Sequence, residues 1–435
     1  MEDTVLRSPD ELLAESRRLR GVSATIRARP VSEIVRALGS VGERFLDPKD
    51  VLRREARERL SGSAGLSSAM ADVVLDGMAA DWTTERLRTT LEADFPDPHV
   101  LDGFVEASGR TVHAVGAELT VQIVAGGVPG VGVNAMMRAL LVKSPTLIRP
   151  GRGDEVLSEL AVCGLSDEAA WLADAVAIER WDSGDDSATC AAVRHAGVVT
   201  VYGSDATVSN VRGLVPAAAR VVPYHHRLAV VVIGPETGSE TLEPVADRVA
   251  RSIALFEQRG CVCPHFVYVS RSGVGAERFA EALAEAMGSL EAEWPTVSLE
   301  AGEAAALQQL RGVSEMQTAA QGGVVRHGGP DASWTVIYEP DAREGPTTFA
   351  RGVRVRAYGD ERELIEALSP HRAHLQSVGV TGMGDRRHAF ALELGRLGAT
   401  RIVDPGQLSF PPPWWLHDGR RPLEELVRWV ELEGE

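Results

Sequence analysis

Leu119-Thr-Val-Gln-Ile-Val-Ala-Gly-Gly-Val-Pro-Gly-Val-Gly-Val-Asn134 carries the plan of the whole chain. Its first six residues form a short apolar run rich in β-branched side chains, as in a strand buried on both faces. Gly126-Gly-Val-Pro-Gly-Val-Gly132 follows, and helical spacing then resumes to about Val142. Strand, glycine-rich turn and helix make one βα unit. A strand over Thr146–Arg149, helices near 153–163 and 166–176, and strands at 198–202 and 228–233 repeat the alternation. Repeats of this length imply a mainly parallel sheet covered on both faces. The loop sits where backbone N–H groups can approach a phosphate or a nucleotide ring. It lacks the G-x-G-x-x-G and Walker A spacings, so taken alone it reads equally well as a tight βα turn.

A second α/β region starts near Gly234. Leu242, Val245, Val249, Ile253 and Phe256 recur at three- and four-residue spacing and predict an amphipathic helix over 240–258 that Gly260 ends. Phe266–Ser270 reads as a buried strand. Between them lies Leu255-Phe-Glu-Gln-Arg-Gly-Cys-Val-Cys-Pro-His265, which sets Cys261 in a turn held by two regular elements. That is a suitable seat for a covalent nucleophile, although cysteine is as often plain packing. A helix C-terminus raises a thiol's pKa, so activation requires N–H groups or cations from elsewhere. Further elements are a helix over 279–290, strands at 334–338 and 352–357, and a helix near 385–397. Pro405–Trp415 forms a stiff connector, its aromatics expected to pack a domain or subunit boundary, and a last helix spans Leu423–Val430.

Residues 1–109 are Leu-, Ala- and Arg-rich with helical periodicity, for example over Met70–Leu91, and are broken by Pro30, Pro48 and the turn at 94–98. Between 110 and 125 two β-like runs flank Gly116 and predict a hairpin. With 435 residues, 44% apolar and 25% charged, the chain is ample for two packed domains. A formal charge of −17 without any long basic run argues against nucleic-acid binding. No apolar run approaches the roughly 18 residues of a membrane span, and no signal-like segment opens the chain, which points to the cytoplasm. The cysteines at 163, 190, 261 and 263 are too few and scattered for a disulfide framework. Cys261, Cys263 and His265 alternate, but without a second ligand pair they make a poor zinc site, so no metal is expected.

The ordered motifs at 126–134, Arg138–Ser144, Val201–Val208, Gln258–His265, Trp334–Tyr338, Trp414–Gly419 and Leu426–Trp429 resemble the bacterial-luminescence type of fatty acyl-CoA reductase, over some 300 residues. That family belongs to the aldehyde dehydrogenase superfamily. The resemblance implies an aldehyde-dehydrogenase-like α/β fold with two doubly wound domains, a small oligomerisation hairpin and a helical N-terminal region. The parts would be 1–109 (helical part of the cofactor domain), 110–125 (hairpin), 126–233 (nicotinamide-binding), 234–405 (catalytic) and 406–435 (C-terminal packing). It also implies that Cys261 is the catalytic cysteine, whereas Cys263 falls where a serine is usual. Gly126, Gly127, Val128 and Pro129, the Gly203-Ser204 turn, and Arg149 at a ribose-contacting lysine's position are the implied cofactor residues. Arg152 or Lys143 would add charge toward a 2′-phosphate.

The implied reaction is NADPH-dependent reduction of a long-chain fatty acyl-CoA, or acyl-protein thioester, to the aldehyde through an acyl-cysteine. An acyl-protein synthetase partner and a homo-oligomer belong to the same implication. Where hydrolytic relatives place a glutamate, Val222-Pro-Tyr-His-His-Arg227 has no carboxylate, which fits a reductase; His225 and His226 are unusual there and are candidate bases. Gly127 replaces an asparagine whose amide holds the oxyanion, and the Gly127 N–H or Asn134 would have to substitute. The competing expectation is therefore a weakened acyl-carrying or scaffolding subunit. A third reading, a CoA-acylating aldehyde dehydrogenase, differs only in direction and chain length.

Overall fold

A computed structural model describes residues 6–124, 126–297, 299–328, 334–341 and 347–434. The chain divides into two compact units: Met1–Gly65, Ala71–His226 and Pro412–Glu435 form the first, Leu66–Met70 and Arg227–Pro411 the second. The strand at 228–233, expected in the cofactor domain, therefore belongs to the second unit.

The first unit opens with helices α1 (Pro9–Arg27), α2 (Val31–Leu46), α3 (Val51–Ser63), α4 (Ser68–Ala80) and α5 (Thr84–Asp94). The periodicity over Met70–Leu91 is thus split in two, because Thr83 caps α5 by accepting from the Arg86 N–H and so starts a new helix. Strands β1 (Val105–Ala107) and β2 (Arg110–Gly116) follow, then β3 (Thr120–Ile123), α6 (Val131–Leu141), β4 (Thr146–Arg149), α7 (Glu155–Glu168), α8 (Ala170–Ala173), β5 (Val176–Ile178), α9 (Asp186–Val193), β6 (Val198–Gly203), α10 (Asp205–Leu214) and β7 (Arg220–His225). Among the described residues, β3 to β7 form a five-stranded parallel sheet in the order β5-β4-β3-β6-β7. Leu12 and Leu19 of α1 cover one face, against Val121, Ile123, Leu147, Val199 and Val201.

The expected hairpin at 110–125 does not form. β2 pairs antiparallel with β1 through the Ser108-Gly109 turn, and on its other side with a C-terminal strand, Val427–Leu432. β3 leaves for the parallel sheet instead. Gly116 is where the chain passes between sheets: a Cβ there would lie 1.9 Å from the Val142 carbonyl oxygen. The expected last helix over 423–430 is a short 3₁₀ turn, Glu424–Leu426, leading into that strand. Leu423, Leu426, Val427 and Val430 have helical spacing, yet pairing with β2 decides the conformation.

The second unit runs β8 (Leu228–Ile233), α11 (Ser239–Ala254), β9 (Pro264–Ser270), α12 (Ala276–Glu293), α13 (Ala301–Gln321), β10 (Val324–His327), β11 (Thr335–Glu339), β12 (Gly352–Tyr358), α14 (Glu361–Leu368), β13 (Leu375–Thr381), α15 (Arg387–Leu397) and β14 (Arg401–Val403). Its described strands form a sheet in the order β10-β11-β12-β9-β8-β13-β14, parallel except for β10. Val230, Val232, Phe266 and Val378 on the sheet pack against Leu364, Phe390 and Leu394 of α14 and α15.

Candidate active site

The chain order of the first sheet reverses between β3 and β6, and in open α/β sheets ligands bind at the strand C-termini on such a switch point. Gly126–Pro129 follow β3, Gly203 ends β6 with Ser204 after it, and Arg149 ends the neighbouring β4. The fold therefore gathers these residues along one sheet edge. Close approach explains the glycines. A Cβ on Gly126 would lie 2.9 Å from the Arg152 nitrogen, Gly127 has φ +112°, and a Cβ on Gly203 would press to 3.0 Å against Thr207.

The two helices at this edge differ. At α6 the Gly130 and Gly132 N–H groups donate to the Asp154 carboxylate at 2.7 and 2.8 Å. Asp154 is fully buried, and burial pushes its carboxyl up to about 8 against the lowering effect of those amides. The expectation that this loop offers its N–H groups to a phosphate is thus corrected at 130 and 132, where an internal carboxylate has taken them. At α10 the cap is Ser204, whose Oγ accepts from the Thr207 N–H, and the side chain is exposed. This end carries the positive helix pole without a buried acid on it.

Arg149 donates from Nε to the Trp181 carbonyl at 3.0 Å and lies over the Trp181 ring, with burial lowering its pKa. Arg152 is exposed beside the loop, its carbonyl accepting from the Gly127 N–H at 3.3 Å. Lys143 is not near this edge: it follows the C-terminus of α6, is buried, and pairs with Asp102, which corrects its expected role toward a phosphate. Asn134 accepts the Trp82 indole N–H through Oδ1 at 2.6 Å. His225 Nδ1 lies 2.7 Å from Asp205 Oδ1. Sequence reasoning missed a stack beside Gly203: Tyr202 and Tyr224 at 4.5 Å, Tyr224 and His417 at 4.4 Å, and His417 and Trp415 at 4.5 Å between ring centroids. Its only sequence signal is the pairing of Tyr202 with Tyr224 on adjacent strands.

In the second unit α11 ends at Ala254, and Phe256, Glu257 and Gln258 all have positive φ, between 53° and 61°. Three successive non-glycine residues in this region carry strain of about 1–3 kcal/mol each, so other contacts must hold them. Two side chains do. The Glu257 carboxylate meets Arg351 in a two-point pair at 2.8 and 2.7 Å, nearly all of it buried. The Gln258 amide donates to the Pro264 carbonyl and to the Gly352 carbonyl, and accepts from the Gly352 N–H at 2.9 Å, tying the turn to β9 and β12. The chain then reaches Cys261, partly exposed, at the N-terminal end of β9. Arg401, at the start of β14, interacts electrostatically with Cys261; burial lowers its pKa to about 10 and the thiol's charge opposes that. Cys263 is fully buried, its Sγ–H donates to the Leu255 carbonyl, and burial pushes it up to about 12. The two thiols thus have opposite surroundings. The cysteines form no disulfide, and among the described residues no group of three His, Cys, Asp or Glu side chains is placed to hold a metal ion.

Comparison with solved structures defines the fold. An NAD-dependent benzaldehyde dehydrogenase from Corynebacterium glutamicum superposes with a TM-score of 0.75 at 16% identity, covering 99% of this chain and 91% of that one. An oxidoreductase from Marinobacter aquaeolei gives 0.73 at 15%, covering 98% and 91%. The fold is that of the aldehyde dehydrogenases. Residues 26–429 match the model of the acyl-CoA reductase (LuxC) family, and the chain belongs to that family. It is 24% identical over 407 residues to the long-chain acyl-protein thioester reductase of Aliivibrio fischeri, covering 93% of this chain and 82% of that protein. The long-chain acyl-protein thioester reductase 2 of Photobacterium leiognathi is 22% identical over 412 residues, at 93% and 82%. Membership makes the chain an oxidoreductase of the acyl-reductase class and implies a nicotinamide cofactor.

Proposed function

We propose that this protein reduces a long-chain fatty acyl thioester to the fatty aldehyde through an acyl group held on Cys261. The observation that carries this reading is the contrast between a partly exposed Cys261, with Arg401 in electrostatic reach, and a Cys263 thiol buried against a carbonyl. The Cys261 thiolate attacks the thioester carbonyl and expels the donor thiol, leaving an acyl-enzyme. When bound, the reduced nicotinamide supplies the hydride that takes this thioester to a thiohemiacetal, whose collapse releases aldehyde and restores the thiolate. The residues fit such a cofactor: Gly126 and Gly127, with Val128 and Pro129, allow close approach, the Gly203-Ser204 turn presents the α10 N-terminus, and Arg149 ends the strand on the other side of β3. The exposed Arg152 supports NADPH over NADH by offering charge to a 2′-phosphate. Val222–Arg227 carries no carboxylate where hydrolytic relatives place a glutamate, which supports reduction over hydrolysis, and the His225 ring there is held by Asp205. The acyl donor is either fatty acyl-CoA or, as the names of the relatives suggest, an acylated protein such as an acyl-protein synthetase. A homo-oligomer is part of the same reading, with the three-stranded sheet of β1, β2 and the C-terminal strand as its element.

Mass spectrometry of the intact protein incubated with tetradecanoyl-CoA, with and without NADPH, tests this. Acylation at Cys261 that disappears as tetradecanal forms supports the reductase, and absence of acylation removes CoA as the donor. A second reading, an acyl-carrying subunit with a weakened reduction step, draws on Gly127. No side-chain amide stands there, and its N–H donates to the Arg152 carbonyl. Loss of one oxyanion donor costs roughly 100- to 1000-fold in rate. Acylation that persists in NADPH favours this alternative. Among the described residues no helix is long and apolar enough to cross a membrane.

A further inference from the structure

The edge of the first sheet opposite the cofactor residues holds a basic cleft that the reaction does not use. A cavity of about 520 Å³ opens at the N-terminal ends of β3, β6 and β7, and a shallower hollow adjoins it along α1. Six arginines line the two: Arg17, Arg20, Arg27, Arg194, Arg220 and Arg428. Among the described residues Glu118 is the one carboxylate in their walls, and it pairs with Arg20 at 2.6 Å. Arg220 donates to the Glu425 and Val427 carbonyls. Arg27 donates to the Gly116 carbonyl at 2.7 Å, while its Nε is buried without a hydrogen-bond partner. Among the described residues no carboxylate lies within ion-pair distance of Arg27, Arg194, Arg220 or Arg428. His195 accepts from Arg17, and burial together with the charges of Arg17, Arg20 and Arg194 lowers its pKa. In a chain with a formal charge of −17 this concentration of cations is local, and a concave wall focuses its field.

We infer that this cleft is a binding site for a small multiply phosphorylated ligand, separate from the nicotinamide site. Guanidinium forks match phosphate oxygens in two-point geometry. Four uncompensated arginines converging from α1, the α9–β6 turn, β7 and the C-terminal strand call for three or more negative charges, more than one carboxylate or monophosphate carries. The concave volume suits a di- or triphosphate group rather than a flat surface. The span of β6 from Val198 to Gly203, roughly 17 Å at 3.3 Å per residue, separates the cleft from the cofactor turn. The inference stands independently of the acyl-reductase reading.

The test is isothermal titration calorimetry of the full chain with inorganic tripolyphosphate in 0.1 M salt. Saturable binding of one tripolyphosphate per chain is expected, weakened at least tenfold in the double variant Arg194→Gln/Arg428→Gln. Both side chains are exposed, so the thermal melt should not move. Arg149→Gln and saturating NADPH should leave the binding as it is. No saturable binding, binding that survives the double variant, or displacement by NADPH overturns the proposal. So does tighter binding of a hexaglutamate peptide, which assigns the cleft to an acidic protein. Loss of self-association in Arg428→Gln, together with no uptake of tripolyphosphate by the wild type, also overturns it, assigning the cleft to a second copy of this chain.

Discussion

Two thiols one residue apart have different fates because the strand starting at Pro264 turns Cys263 inward. Cys261→Ala is expected to abolish acyl labelling and aldehyde formation together. Cys263→Ala should keep most of both, while losing roughly 1 kcal/mol from the bond to Leu255; intact mass and a thermal melt check the pair. Gly127 makes a second case. At φ +112° a side chain is strained, so Gly127→Ala should lower the melting temperature by an amount matching about 1–3 kcal/mol. The turn that seats Cys261 was legible because a motif surrounds it. The clamps that hold its turn were not, since Arg351 and Gly352 lie more than 90 residues from Glu257 and Gln258 and nothing local announces them.

Elements were legible where burial writes a continuous apolar run, as in β8, whereas for a buried strand that carries charge the strand was legible and its burial was not. β12 reads as alternating Val and Arg, the pattern of a half-exposed strand, yet every residue in it is buried. Arg354 and Arg356 converge on Glu339 of β11 at 2.8 and 2.7 Å, and Arg356 lies over Phe266. Glu339→Gln leaves uncompensated buried cations and should cost about 3–5 kcal/mol, seen as early unfolding in urea. The hairpin misreading has a related origin: Gly116 permits a turn, but β3 gains two parallel neighbours by moving to the larger sheet. At α6, Asp154 gives the element a pH signature. Its folded pKa lies above the ordinary carboxyl value, so folding takes up a proton. Its contribution is present in acid and lost as pH rises through about 8. Melting temperatures between pH 5 and 8.5 should therefore fall more steeply in the wild type than in Asp154→Asn.

For the molecule as a whole, two α/β units were visible in the sequence as two series of strand and helix, but the boundaries were not, because the chain returns to its first unit. The C-terminal strand pairs with β2 over six residues, and buried Asp94 accepts the Leu423 and Glu424 N–H groups through Oδ2. Truncation before Leu423 strips β2 of that neighbour and leaves the Asp94 carboxylate buried without those donors. Limited proteolysis should then cut the first unit faster while fragments of the second persist. The same connectivity sets an order of events during synthesis. All of the second unit has left the ribosome before Pro412 does, so the segment in the middle of the chain can close its core during translation. The unit that begins first is completed last, holding an unpaired β2 edge in the interval, and a nascent chain that has emerged from the ribosome as far as about residue 420 would display one finished unit and one awaiting its final strand.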